Sequence, residues 1–153
     1  MKKQTLLIKI LIILTLLFIW IHSMMPGDVS GSESGMVFTF LNPILRLILP
    51  DYMVTEHLVR KMAHFSEYCV LGAEMMIYIQ SVNKTLTINK LVNTLLTGLT
   101  VAFIDETIQI FSGRGPMIID MWIDLAGFTT GAGILYLILA LFKHSQKSHK
   151  QQN

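Results

Sequence analysis

Carboxylates interrupt the long apolar segments of this chain. Five lie inside those segments and a sixth lies at the edge of one: Glu67, Glu74, Asp105, Glu106, Asp124 and, at the edge, Asp120. An ionised residue at the centre of a membrane helix costs roughly 2.5–3.5 kcal/mol on insertion scales. We therefore expect these acids to face one another, a cation or a water-filled cleft. Ionisable residues inside a membrane are candidates for a functional site by default, so the acids indicate where such a site lies.

The composition supports a membrane protein rather than a soluble domain. The chain has 153 residues, of which 52% are apolar and 14% charged, with a mean hydropathy of +0.56. A soluble domain carries about 25% charged residues. The net charge of +2 is too small to indicate a nucleic-acid partner. Cys69 is the single cysteine, which excludes an intrachain disulfide.

Four apolar segments are long enough to cross a bilayer, which takes about 20 residues. They cover residues 5–22, 60–81, 91–111 and 120–142. The sequence therefore predicts an all-α membrane protein with four transmembrane helices, forming a single domain over residues 1–143. Residues 144–153 are predicted to be a disordered cytoplasmic tail.

The basic residues predict the orientation of these segments. With the N-terminus inside, eight Lys and Arg residues lie on the cytoplasmic side and four on the outer side. The positive-inside rule then places both termini in the cytoplasm. The loop at residues 23–59 then lies outside.

That outer loop has two parts. Residues 25–35 are polar and rich in turn-forming residues, which argues against a helix there. In residues 36–49, Thr39, Asn42 and Arg46 recur at helical spacing, which predicts a short helix with one narrow polar face. Because it is too short to span, we expect it to be interfacial or re-entrant. It either covers the helix bundle or acts as a lid.

The predicted topology gathers the polar residues of three segments at the outer membrane level. This candidate site comprises Lys61, His64, Glu67, Tyr68, Asp105, Glu106, Gln109, Arg114, Asp120 and Asp124. We expect Asp105 and Glu106 to form salt bridges with Lys61 and Arg114, because an unpaired charge at that depth is costly.

The inner half is apolar apart from Glu74, for which Thr97 or Thr100 is the expected hydrogen-bond partner. Small residues extend two of the polar stripes and predict close helix packing: Gly98 with Ala102, and Gly127 with Gly131.

Three motifs occur in order along the last three segments. They are Lys61-x-x-His64-Phe65-x-x-Tyr68, Asp105-Glu106-x-x-Gln109-x-Phe111 followed by Arg114, and Asp120-x-x-x-Asp124-x-x-Gly127-x-x-x-Gly131. Together they resemble the VanZ-like family of small bacterial membrane proteins, named for a glycopeptide-resistance accessory protein. The resemblance covers roughly residues 20 to 135. It implies a multi-pass protein of the bacterial cell membrane that is linked to the envelope, with lowered teicoplanin sensitivity in the founding case. The resemblance supplies no reaction.

Three functions compete at this stage. The first is an enzyme acting on a lipid headgroup or lipid-linked cell-wall precursor, with Lys61 and Arg114 binding an anion and His64 performing acid–base chemistry. The second is a non-catalytic protein that binds or shields the same partner. The third is an ion conduit or a metal-binding bundle, although the apolar inner half disfavours conduction. The sequence leaves the cofactor, the metal and the oligomeric state open.

Overall fold

The computed structural model describes residues 2–50, 53–82, 87–113 and 117–151, and this part of the chain is helical. It contains five helices: α1 (Lys2–Met24), α2 (Gly27–Ile48), α3 (Glu56–Val82), α4 (Ile88–Phe111) and α5 (Ile118–Gln151). The all-α prediction is confirmed for these residues.

Three of the described helices are long and apolar enough to cross a membrane: Lys3–Met24 in α1, Ile88–Phe111 in α4 and Ile118–Phe142 in α5. Helix α3 is also long, with 27 residues, but Arg60, Lys61, Glu67 and Glu74 make it too polar to qualify by composition. The described residues thus hold three candidate spans, as expected of a membrane protein.

Apolar side chains cover the outside of the bundle. Leu7 and Phe18 of α1 and Leu137 and Leu141 of α5 are all exposed, each with more than half of its surface accessible. In water such a surface would be unfavourable, whereas a bilayer solvates it. The apolar exterior therefore fits helices that contact lipid.

Helices α3 and α5 pack backbone to backbone through glycines. A Cβ atom on Gly127 would overlap the carbonyl of Phe65, and one on Gly131 would overlap the carbonyl of Cys69. Gly72 provides the reciprocal contact, because its Cβ would overlap the backbone of Phe128. The small-residue packing predicted for Gly127 and Gly131 is present, and the absence of side chains sets the distance between these two helices.

A compact core joins α1, α3, α4 and α5 next to these glycines. Its buried apolar members are Ile19, Tyr68, Leu71, Val101, Ala102 and Phe128. The ring of Phe128 occupies the space beside Gly98, where a Cβ would lie 2.6 Å from Phe128 Cδ1. Gly98 thus lets α4 approach the α3–α5 pair.

Helix α2 starts earlier than the sequence suggests. The structure begins it at Gly27, so the polar segment predicted as turns is helical. This segment packs against α3, where a Cβ on Gly35 would make an ordinary van der Waals contact of 3.6 Å with Glu56 Oε1. Contact with α3 thus overrides weak helix propensity. The later part of α2 matches the predicted amphipathic helix, with Arg46 Nε donating to Asn42 Oδ1 at 2.8 Å.

The C-terminal helix also exceeds its predicted bounds. The structure continues α5 to Gln151, which includes most of the tail for which the sequence predicts disorder. Each residue added to an existing helix gains one backbone hydrogen bond, and Lys and Gln have good helix propensity.

The glycine contact gives a direct test of this packing. We expect Gly131→Ala to lower stability by about 1–3 kcal/mol, because the new methyl group must push α5 away from the Cys69 carbonyl. Gly133→Ala is the matched control, since a Cβ there meets nothing within 4 Å and the change favours the helix. Thermal unfolding of both purified variants in detergent measures the effect. Equal melting temperatures would contradict the packing.

Candidate functional site

Three buried polar side chains from three helices meet at one point. His64 lies on α3, Asp105 on α4 and Asp124 on α5, and their solvent exposure is 8%, 0% and 0%. His64 Nδ1 is 3.8 Å from Asp105 Oδ2 and also 3.8 Å from Asp124 Oδ1. We call these three residues the polar triad.

The glycine contacts explain why the triad forms. His64 directly precedes Phe65, whose carbonyl faces Gly127, and Asp124 lies three residues before Gly127. One of the backbone contacts between α3 and α5, that of Gly127 with Phe65, therefore lies within one turn of both triad residues. Asp105 lies on the same buried stripe of α4 as Gly98 and Ala102, which packs towards Phe128.

Gln109 and Glu106 organise the C-terminal end of α4. Gln109 Nε2 donates to Asp105 Oδ2 at 3.1 Å and to Glu106 Oε1 at 3.2 Å. Glu106 Oε2 accepts a hydrogen bond from the backbone N–H of Met117 at 2.9 Å. Glu106 therefore ties α4 to the start of α5, while Asp105 faces the triad.

The salt bridge of Lys61 differs from the expected one. Lys61 Nζ lies 2.8 Å from Asp120 Oδ1, so the lysine joins α3 to α5 rather than neutralising Asp105 or Glu106. Its position near the N-terminal end of α3 brings it to the first turn of α5. Arg114, the other expected partner, lies outside the described residues.

Several buried polar atoms around the triad have no hydrogen-bond partner among the described residues. They are both carboxylate oxygens of Asp124, Asp105 Oδ1 and the Tyr68 hydroxyl. Tyr68 is fully buried and lies within electrostatic reach of both aspartates. A buried carboxylate without a partner is costly, so the triad requires a proton or a cation to balance it.

Helix α1 contributes polar residues that the sequence analysis missed. His22 Nδ1 lies 3.0 Å from Glu67 Oε1, and the His22 ring stacks on His64 with centroids 5.9 Å apart. Ser23 is fully buried next to Asp105. One sequence feature could have indicated these two residues. They lie at the end of the first apolar segment, which the predicted topology places at the level of His64. Glu67 consequently faces α1 rather than the triad.

Glu74 has a different partner from the expected one. Its Oε1 accepts a hydrogen bond from Thr15 of α1 at 3.1 Å. Thr97 and Thr100 instead donate to backbone carbonyls of their own helix, those of Asn93 and Leu96. Glu74 thus joins α1 to α3 and lies apart from the triad.

A cavity of about 290 Å³ opens beside the triad. It is lined by His57, Arg60, Lys61, His64, Gln109, Gly113, Met117, Asp120, Ile123 and Asp124. Five residues of the predicted site thus line one cavity, while Tyr68, Asp105 and Glu106 are buried in the protein around it. His57 and Arg60 extend the predicted set. The sequence could have indicated both residues, because each lies about one turn or less before Lys61 on the same helix.

The cavity has a basic side, and its floor carries both a histidine and a carboxylate. His57, Arg60 and Lys61 come from the first turns of α3, whereas His64 and Asp124 belong to the triad. Such an arrangement can bind an anion at the basic side. The imidazole and carboxylates of the triad can hold a proton or ligate a metal ion.

The fold and the site define a small helical membrane protein with a buried polar cluster that lines a cavity. The chain belongs to the VanZ/LLP1 family, whose model matches residues 8–142. This match covers all three motifs noted in the sequence. Neither a curated protein nor a solved structure matches the chain.

Proposed function

We propose that this VanZ-like protein resides in the bacterial cell membrane and binds an anionic headgroup in its cavity. The headgroup belongs to a membrane lipid or to a lipid-linked cell-wall precursor in the outer leaflet. The observation that carries the proposal is the clustering of Arg60, Lys61 and His57 around one cavity at the end of a membrane bundle.

The chemistry of Arg60 supports anion binding. Its Nε is buried and has no hydrogen-bond partner among the described residues, although it belongs to a cavity-lining side chain. A planar guanidinium binds phosphate through two parallel hydrogen bonds. Lys61 supplies less free charge, because Asp120 already pairs with it.

The size of the cavity also fits a headgroup. Pockets for small ligands commonly have volumes of about 300–1,000 Å³. A cavity of about 290 Å³ accommodates a phosphate with a small attached group but not a complete lipid. The acyl chains would remain in the bilayer beside the apolar exterior of the helices.

Placing the cavity at the outer leaflet requires α3 to cross the membrane as a fourth span. With 27 residues at about 1.5 Å each, α3 exceeds the roughly 30 Å hydrocarbon core. Its acids have partners within the bundle, Glu67 with His22 and Glu74 with Thr15. Exposed Val70 and Ile77 remain available to contact lipid. Both termini then lie in the cytoplasm.

A catalytic version of the proposal uses the same cavity. His64 lies between two carboxylates, an arrangement that can orient an imidazole for acid–base work on a bound headgroup. Mass spectrometry of lipid-linked precursors from cells with and without the protein separates the two versions. A new product supports catalysis, whereas unchanged precursors support binding. Lowered glycopeptide sensitivity is the cellular effect proposed for either version.

The topology makes its own prediction. Reporter fusions that are active only in the cytoplasm or only outside should place the N-terminus and the C-terminus of the full chain both in the cytoplasm. Four spans place both termini on the same side of the membrane, whereas the three apolar helices alone would place them on opposite sides. Termini on opposite sides would contradict the four-span proposal.

Headgroup binding is tested with Arg60→Gln and the matched control Arg46→Gln. Arg46 lies on the exposed polar face of α2 and does not line the cavity. We expect Arg60→Gln to weaken binding of short-chain phosphatidylglycerol about tenfold, which corresponds to about 1.4 kcal/mol for a lost charged contact. Native mass spectrometry of the purified protein measures this binding.

The control and a neutral lipid complete the experiment. Arg46→Gln should bind phosphatidylglycerol as the wild type does, and phosphatidylcholine should bind more weakly to all three proteins. Equal loss in both arginine variants, or equal binding of both lipids to the wild type, would overturn the anion-binding proposal.

A further inference from the structure

We propose that the polar triad is a metal site, in which His64, Asp105 and Asp124 bind one divalent first-row transition-metal ion such as Zn²⁺. The ion would lie between α3, α4 and α5. This inference concerns the protein alone and stands whether or not the cavity binds a headgroup.

The geometry of the donor atoms supports the proposal. One imidazole nitrogen and two carboxylate oxygens lie within 4.8 Å of one another. Ligands about 2.1 Å from a tetrahedral ion are roughly 3.4 Å apart. The two separations of 3.8 Å from His64 Nδ1 exceed this value by an amount that small side-chain rotations can close. Both separations are too long for hydrogen bonds, so His64 Nδ1 is not hydrogen-bonded to either aspartate.

The unsatisfied oxygens provide an independent observation. Asp124 is completely buried, yet neither of its carboxylate oxygens has a hydrogen-bond partner among the described residues. Asp105 Oδ1 is in the same situation. A divalent cation would supply these oxygens with a partner and would balance both negative charges. His64 alone offers at most one positive charge.

Neighbouring residues provide the surroundings that metal ligands require. Gln109 Nε2 donates to Asp105 Oδ2, which orients that carboxylate. The His22 ring stacks on His64 and restricts the plane of the imidazole. Hydrogen bonds and packing of this kind hold ligands in place and tune metal affinity.

The donor set also selects the class of metal. Nitrogen together with carboxylate oxygen suits Zn²⁺ and similar first-row ions. Ca²⁺ requires six to eight oxygen ligands, more than the three donors present here. Three protein ligands leave a coordination position open, as in catalytic zinc sites. Because His64 and Asp124 also line the cavity, that position would face it.

Metal content of the purified full-length chain tests the proposal. We expect tag-free protein, stripped with a chelator and then loaded with Zn²⁺, to retain about one zinc per chain by elemental mass spectrometry. Asp105→Asn and Asp124→Asn should each weaken zinc binding at least about 100-fold, because loss of a ligand exceeds the 10–100-fold cost of losing a supporting contact. Glu74→Gln is the matched control, a partly buried acid of α3 bonded to Thr15, and should retain zinc.

A second measurement does not depend on how the variants fold. Zn²⁺ should raise the melting temperature of the wild-type protein, because a ligand that binds the native state stabilises it. A wild-type protein that neither retains zinc nor gains stability would overturn the proposal. Equal zinc retention by the wild type and Asp124→Asn would also overturn it, since the ion would then bind adventitiously at other histidines.

Discussion

The close approach of α3 and α5 determines how the rest of this structure is arranged. Gly127 and Gly131 face the carbonyls of Phe65 and Cys69, so the two backbones meet without intervening side chains. In a bilayer, apolar side chains gain little by leaving lipid for a helix interface, so packing of this kind must hold the helices together. The contact of Gly127 with Phe65 fixes the height of His64 relative to Asp124, because each lies within one turn of it. The polar triad is therefore a consequence of the glycine spacing.

The triad combines complete burial of two carboxylates with too few hydrogen-bond partners for them. Burial makes the carboxylates of Asp105 and Asp124 costly, and the partners around them satisfy only part of their hydrogen-bonding capacity. Two nearby basic residues pair with other acids, Lys61 with Asp120 and His22 with Glu67. The buried charge and the basic rim of the cavity thus remain separate features. A headgroup at the rim and a cation at the floor would each satisfy one of them.

The sequence predicted the helices and the residues of the cluster better than their pairing. Spacing along α4 correctly placed Asp105 and Gln109 on the stripe of Gly98 and Ala102, because residues three and four apart share a helix face. Spacing along a helix does not give the rotation of one helix relative to another. That rotation determines which side chains pair, here Lys61 with Asp120 and Glu74 with Thr15. The role of α1 was missed because its polar residues are few. The early start of α2 depends on tertiary contacts that override local propensity.

A zero-length cross-link between Lys61 and Asp120 tests the arrangement of α3 and α5 most directly. A carbodiimide joins an amine to a carboxylate only where the two are in contact, as Lys61 Nζ and Asp120 Oδ1 are at 2.8 Å. This contact predicts that peptide mass spectrometry of the unmutated protein in native membranes will find Lys61 joined to Asp120. Linkage of Lys61 to Asp105 or Glu106 instead would contradict it. So would an unlinked Lys61 when a soluble amine shows that the carbodiimide has activated Asp120.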